Sequence, residues 1–359
     1  MKKYNIEGIN IVRLEGNPYE RWLQNGTLCK KEITNAVQIT YNDLLKDPKK
    51  YTFFIEKSKV LEKGLSEDFK SELLWISHGA DIKYENILMH NLIFTIEMKF
   101  ACFAWSCINT KNKLLTLRQL DLNINSDSYK EMILYIVKPE KWYSFFTLAI
   151  PGFIDSETGM NEKGITISQN NIYIKQTHWN IKTIWELTRK LLQFSKSIDE
   201  INNYLDNEEE YPARLLLCSS PDTASVFEIA NTNKAKIDLI NNKICVTNHP
   251  RKIKNTISST DSSYKRLDYA NIFFEKNIKS INFEKVLKLL RSPLISRKIS
   301  KTTTNWQSVI FSPSTLNFWI AKPNKNSNKS VCLNEYIEFN LIDLLYDENY
   351  KVGSKDILK

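Results

Sequence analysis

The opening run "INIVRLEG" reads as a short strand, and beyond Gly16 the apolar residues recur every three or four positions, the spacing of helices. Pro18 in "NPYERWLQNGTLCKKEI" marks a helix start. In "YENILMHNLIFTIEM", Tyr84, Ile87, Leu88, Asn91, Leu92, Thr95 and Ile96 fall on one helical face, which predicts a core-facing helix. From Phe100 the period drops to two, and "CFAWSCI", "KLLTLRQLDL", "GITISQ" and "NIYIK" read as strands between polar turns. A helix is expected over Ile181 to Phe194, where Ile181, Ile184, Trp185, Thr188, Leu191 and Leu192 share a stripe. A second follows "SIDE", in which Ser197 and Glu200 have capping-box spacing. "ASVFEIA", "KIDLI", "KICVTNH", "QSVIFSP" and "NFWIAKP" add further strands, with "FEKVLKLLRS" a helix among them.

Strands in uninterrupted groups, with helices in blocks between them, predict an α+β fold of antiparallel sheets covered by helices. Length alone allows two domains, but no repeat and no Gly/Pro-rich linker divides the chain, so one structural domain is expected. At 42% hydrophobic and 25% charged residues the composition is that of an ordered globular protein. The net charge of +9 changes the picture little, because the lysines are interspersed with acids and form no stripe, so no nucleic-acid partner is expected. The longest apolar run, "WYSFFTLAI", is far short of the roughly 20 residues of a membrane span, so no membrane partner is expected. "MKKYNIEG" lacks the apolar region of a secretory signal, and a cytoplasmic location is expected.

Six cysteines occur without a CxxC pair, which argues against zinc ribbons and thioredoxin-type motifs; free thiols are expected. Cys102 and Cys107 share one strand of the hairpin that folds back through "NTKNK". Their separation of five places them on opposite faces, and Cys107 reads as core. A nucleophilic cysteine needs a base, and none of His78, His90, His178 and His249 lies in a papain-type context. If the chain is cut just before the cysteine, its own α-amino group, of pKa about 7.7 to 8.0, can take the thiol proton. Such a nucleophile needs charged groups on the adjacent strand, and Arg118 and Asp121 lie 16 and 19 residues after Cys102. Arg118 can lower the thiol pKa and Asp121 can orient the new ammonium, although both types are also ordinary at strand ends.

Several stretches, in order along most of the chain, carry a resemblance. Gly16, Pro18, Tyr19, Glu20, Arg21, Gln24 and Gly26 resemble a Gly-x-Pro-Tyr-Glu-Arg opening; "NLIFTIE" precedes the cysteine; "CFAWSCINTKNKLLTLRQLD" resembles a nucleophile hairpin ending in Arg-Asn-x-Asp; "GMNEKGITISQNN" and "VTNHP" follow. Together they are similar to the acyl-coenzyme A:6-aminopenicillanic acid acyltransferase family of N-terminal nucleophile (Ntn) hydrolases, and more distantly to choloylglycine hydrolases. The sequence departs from the pattern at Ala101, at Phe103, at Gln119, and in an arginine missing from "NLIFTIE".

The resemblance implies an αββα four-layer sandwich of two antiparallel sheets flanked by helices. It implies self-cleavage of the Ala101–Cys102 bond, giving a mainly helical segment 1–101 and a catalytic segment 102–359. Cys102 would be the nucleophile, with Arg118 and Asp121 orienting it. Asn170 or Asn171 would donate to the oxyanion, the first in the acyltransferase-like register and the second in the choloylglycine-like one; outside the family context the pair suits a turn. Asn248 would bind the α-amine or the oxyanion, and Arg266, Arg291 and Arg297 are candidates for a late family arginine. Gly159 and Gly164 read as hairpin formers and His249 as structural. The expected partner is a small-molecule amide or acyl-thioester, with an amine acceptor and a homo-oligomer both compatible, and no metal or organic cofactor is called for. The alternative is an uncut, inactive relative serving as a binding or scaffold protein.

Overall fold

Asn17 joins the first strand pair to the first helix through a reciprocal cap: its side chain accepts from the Glu20 N–H at 3.0 Å, and the Glu20 carboxylate accepts from the Asn17 N–H at 3.0 Å. A computed structural model describes residues 2–96, 100–122, 131–154, 156–172, 183–254, 261–296, 304–323, 330–347, 350 and 357–358. His178, Arg297, Ile181 and most of "NIYIK" lie outside the described residues.

The chain opens with β1 (Lys2–Ile6) and β2 (Ile9–Gly16), then runs through α1 (Pro18–Leu28), α2 (Lys30–Leu45), α3 (Pro48–Gly64), α4 (Glu67–Ala80) and α5 (Tyr84–Ile96). Six strands follow: β3 (Phe100–Ile108), β4 (Leu114–Leu122), β5 (Ile133–Pro139), β6 (Phe145–Ala149), β7 (Thr158–Asn161) and β8 (Thr166–Asn171). After α6 (Ile184–Phe194) and α7 (Ile198–Asp206) come β9 (Tyr211–Ser219), β10 (Ala224–Asn231), β11 (Asn233–Asp238) and β12 (Lys243–Val246). The last third holds α8 (Asp261–Asn277), α9 (Phe283–Leu290), α10 (Pro293–Ser296), β13 (Thr304–Ser312), β14 (Asn317–Ala321), β15 (Tyr336–Asn340), α11 (Leu341–Tyr346) and β16 (Ile357–Leu358).

Two sheets result, one ordered β1-β2-β5-β6-β7-β8-β9-β10-β11 and the other β12-β3-β4-β13-β14-β15-β16. All pairings among the described residues are antiparallel except β2 with β5. The sheets face each other: Phe146 of β6 stacks on Phe318 of β14 with ring centroids 3.8 Å apart, and the Thr116 and Ser219 hydroxyls meet at 2.8 Å between β4 and β9. Helix α1 packs on β2 and β5, and α6 on β7, β8 and β9, covering the first sheet. On the far side, Phe274 of α8 and Leu289 of α9 join Phe103, Trp105 and Cys107 of β3 in a separate apolar cluster. This is the αββα arrangement. Residues 2–96 are mostly helical apart from the β1–β2 pair, which completes the edge of a sheet built mostly from later chain.

Two local expectations shift. Helix α5 is buried all round from Ile87 to Ile93, because it lies among α2, α3 and α4 and its Asn91 side chain bonds the Gly152 carbonyl and the Ile154 N–H, each at 2.9 Å. At α7, Ser197 caps the Glu200 N–H at 3.1 Å, but the Glu200 carboxylate accepts from Lys196 N–H, one residue earlier than in a capping box. Gly164 takes φ +77° in the β7–β8 turn, and a Cβ on Gly159 would lie 2.3 Å from the Phe146 carbonyl oxygen.

The helices before β3 are tied to those after β8 by a buried ion pair between Glu72 of α4 and Arg189 of α6, whose guanidinium also lies over the Phe69 ring. Removing one partner strands a buried charge. Glu72→Leu is therefore expected to lower stability by about 3 to 5 kcal/mol in urea unfolding, with the Glu72→Leu/Arg189→Leu pair recovering most of the loss.

Candidate active site

Strand alternation decides which face each residue of the β3–β4 hairpin presents. Phe103, Trp105 and Cys107 turn toward α8 and α9, while Cys102, paired with Leu120, turns into the core between the sheets. Cys107 is core as expected, and burial pushes its thiol pKa up. Phe103 occupies the helix-facing side of the strand, away from the Cys102 side chain.

Cys102 lies past the end of β12, whose pairing with β3 stops at Val246 opposite Ala104. The chain beyond Val246 supplies what that edge lacks. The Cys102 N–H donates to Asn248 Oδ1 at 2.9 Å, and Arg266 Nη1 donates to the Cys102 carbonyl at 2.6 Å. Arg266 Nη2 also reaches Asn248 Oδ1 at 2.9 Å, and Asn248 Nδ2 donates to the Asn171 carbonyl at 2.9 Å. Helix α8 is pinned to this loop by Ser263, whose hydroxyl accepts from the Asn248 N–H at 2.8 Å.

A second group adjoins the first across β8. Asn170 Oδ1 accepts from Arg118 Nη1 at 2.8 Å, and Asn170 Nδ2 donates to the Val246 and Thr247 carbonyls at 3.1 and 2.8 Å. Arg118 Nη1 also donates to the Gln119 carbonyl at 3.1 Å, and its Nη2 stands 3.9 Å from Glu157 Oε2. Burial pushes the Glu157 carboxyl up to about 7 against the opposing pull of Arg118 and Arg214. Burial likewise pulls Arg214 down to about 10, with Glu157 and Cys102 acting in the other direction.

The expected residues are thus distributed in three ways. Cys102 and Asn248 are in direct contact; of the three candidate arginines, Arg266 bonds both, Arg291 serves the Cys332 and Asn334 carbonyls, and Arg297 lies outside the described residues. Asn170 and Asn171 are strand residues paired with Leu215 and Arg214, not a turn. The Asn170 amide is fully engaged, whereas the buried Asn171 side chain makes no hydrogen bond to a described residue through either polar atom. Asp121 pairs with Ala101, on the face of β4 opposite Arg118, and its carboxylate accepts from Asn305 Nδ2 at 2.8 Å. His249 shares its Nδ1 with the Ser263 and Thr247 hydroxyls, and burial with nearby Arg251 lowers its pKa.

Glu157, Arg214 and Ser263 went unread in the sequence. Arg214 carries a signal, a charged residue inside the apolar strand "YPARLLLC", and Glu157 lies two residues ahead of the "GMNEKG" match. The arrangement offers a thiol, a main-chain nitrogen already bonded to a carbonyl oxygen, and buried cationic and amide donors, the groups needed for acyl transfer through a thioester.

A family model for acyl-coenzyme A:6-aminopenicillanic acid acyl-transferase matches residues 108–327, over half of the chain. A Dictyostelium discoideum protein, dcd1A, is 28% identical over 247 residues, covering 56% of this chain and 53% of that protein. An uncharacterised Archaeoglobus fulgidus protein is 24% identical over 234 residues, covering 55% and 38%. The matched stretch therefore spans about half or less of these relatives. Among solved structures, a Caenorhabditis elegans N-acylethanolamine-hydrolyzing acid amidase ortholog is similar at 12% identity and TM-score 0.46, over 59% of this chain and 93% of that one. A conjugated bile acid hydrolase from Clostridium perfringens gives 12% and 0.44, over 67% and 96%. No helix among the described residues is long and apolar enough to cross a membrane.

The raised Glu157 pKa has a stability consequence of definite sign. Between the ordinary value of 4.5 and about 7 the folded carboxyl keeps a proton that the unfolded chain releases, so its contribution to stability falls as pH rises. His90, which burial pulls down to about 4, contributes with the opposite sign below its ordinary 6.5, so a difference measurement is required. The Tm of Glu157→Gln minus that of the wild type is expected to grow steadily from pH 5 to pH 7.5; a flat difference would contradict the assignment.

Proposed function

Because this chain belongs to the acyl-coenzyme A:6-aminopenicillanic acid acyl-transferase family, we propose that Cys102 is the nucleophile of a self-processing amidohydrolase or acyltransferase. The observation that carries the reading is the grip on Cys102, its N–H held by Asn248 and its carbonyl by Arg266.

In the first reaction Cys102 Sγ attacks the Ala101 carbonyl carbon, the Ala101–Cys102 C–N bond breaks, and the thiol proton passes to the departing nitrogen. Water then hydrolyses the thioester, leaving a carboxylate on Ala101 and a free thiol and amine on Cys102. Phe103 points away from the Cys102 side chain, so its bulk leaves the face of attack clear. Residues 1–101 and 102–359 share one apolar core, in which Ile11, Leu73 and Leu92 pack with Ile136, Trp185 and Leu344, so the two pieces stay together.

In the second reaction the α-amine, oriented by Asn248 Oδ1, takes the Cys102 thiol proton, and the thiolate attacks an amide or thioester carbonyl of a small molecule. Arg118 adds positive charge to the site and is held by Asn170. Asn171 is the better candidate for the oxyanion donor, because its buried amide bonds no described residue whereas that of Asn170 is already used. The acyl group then passes to water or to an amine. Incubation with an amide substrate alone, against an acyl-thioester plus an amine, separates the two outcomes.

Intact mass of the purified protein tests the first reaction: two chains divided between Ala101 and Cys102 are expected, and one chain from Cys102→Ala, without turnover. An uncut wild-type chain would favour a binding role. For the second reaction, Asn171→Ala is expected to lower kcat by about 100- to 1,000-fold, the cost of one oxyanion donor; an unchanged kcat would remove Asn171 from that role.

A further inference from the structure

Strand β10 carries one charged residue, Glu228, on the face it turns into the core between the sheets. Val226 and Ala230 on that face cluster with Ala104, Leu215, Ile244 and Val246, and Glu228 stands between them, 1% exposed. A carboxylate buried there needs donors. It finds them in the main chain: Oε1 accepts from the Arg251 N–H at 2.6 Å, and Oε2 from the Lys252 and Ile253 N–H groups at 2.7 and 3.0 Å. Successive N–H groups converging on one anion form a nest, so carboxylate and loop fix each other.

The segment that Glu228 holds is the one that carries Asn248. The chain leaves β12 after Val246, and no main-chain to main-chain hydrogen bond among the described residues holds residues 248–253. Side chains hold their N–H groups instead: Ser263 takes that of Asn248, and Glu228 takes those of Arg251, Lys252 and Ile253. Only His249 and Pro250 lie between these two anchors. The Pro250 ring fixes its own φ and confines the residue before it to extended conformations, so the link is short and stiff. Ser263 and Arg266 reach Asn248 from α8, into which the same connection leads. Glu228 is the counterpart of these contacts, fixed in a strand of the other sheet.

We propose that Glu228 is a positioning residue of the reaction: by gripping the main chain of residues 251–253, it holds the loop so that Asn248 Oδ1 meets the Cys102 nitrogen, at 2.9 Å. The inference rests on the function proposed above, in which that nitrogen is first the leaving group of the cut and then the base of the second reaction. Glu228 touches neither Cys102 nor Asn248 and acts only through the main chain between them.

The test uses full-length protein and a p-nitrophenyl acyl ester, with Cys102→Ala as the control that defines specific turnover. Glu228→Gln keeps the size of the side chain but turns one acceptor oxygen into a donor that faces an N–H group. It is expected to slow self-cleavage and to lower kcat by about 100-fold, the scale of a misplaced catalytic group, with KM nearly unchanged. Hydrogen exchange reads the link itself, measured in the Cys102→Ala background so that the bond before position 102 stays intact. There Glu228→Gln is expected to speed exchange over residues 251–253 and also at the amide of position 102, while residues 105–108 stay as protected as before. Glu228→Asp keeps the charge but withdraws it by one methylene; it is expected to show the same losses and covers the case of a Gln variant that does not fold. Folded Glu228 variants with undiminished kcat, or with faster exchange confined to residues 251–253, would overturn the proposal alone. A wild-type chain whose turnover ignores Cys102→Ala would overturn it together with the proposed function.

Discussion

The fold converges on the peptide groups that flank Cys102. In the interior of a sheet, neighbouring strands satisfy the backbone; here β12 ends two residues short, and two side chains take its place. An asparagine on one side and a guanidinium on the other hold the nitrogen and the carbonyl of a single residue, and the same asparagine oxygen serves both partners. Because these groups are buried, each unmade bond would cost the full desolvation of a polar atom. Helix α8, through Ser263 and Arg266, and the end of β8, through the Asn171 carbonyl, both meet this point.

Around that point the chain buries Arg118, Arg214 and Arg266, with the buried carboxylate of Glu157 3.9 Å from Arg118. The polar networks limit the cost: Asn170 holds Arg118, and the Cys102 carbonyl and Asn248 hold Arg266. Glu157 stands too far from Arg118 for a close ion pair, which is why burial dominates its proton affinity.

Much of the site was legible in the sequence because the hairpin is local. Two strands and the short turn "NTKNK" place Arg118 on the face of Cys102 by arithmetic, and alternation separates Cys107, Phe103 and also Asp121 from that face. The adjacent Asn170 and Asn171 stayed undecided, since two identical residues in one strand differ only in what they touch. Arg266 could be named but not chosen: its partner lies 164 residues away, and no pattern in "DSSYKRLDYA" encodes that encounter. Strands β5 and β9 passed unrecognised because they are buried on both faces and show no alternation. The parallel pairing of β2 with β5 is recorded in neither strand.

The separation of the partners also sets a schedule. Asn248 and Arg266 emerge from the ribosome long after Cys102 does, and the strand beside β4, β13, comes later still. A nascent chain paused after the β3–β4 hairpin has the thiol and the Ala101–Cys102 bond but neither of these partners. If Cys102 cuts the chain as proposed, the cut belongs to the finished polypeptide, and its completion reports that the distant half of the molecule has already arrived in place.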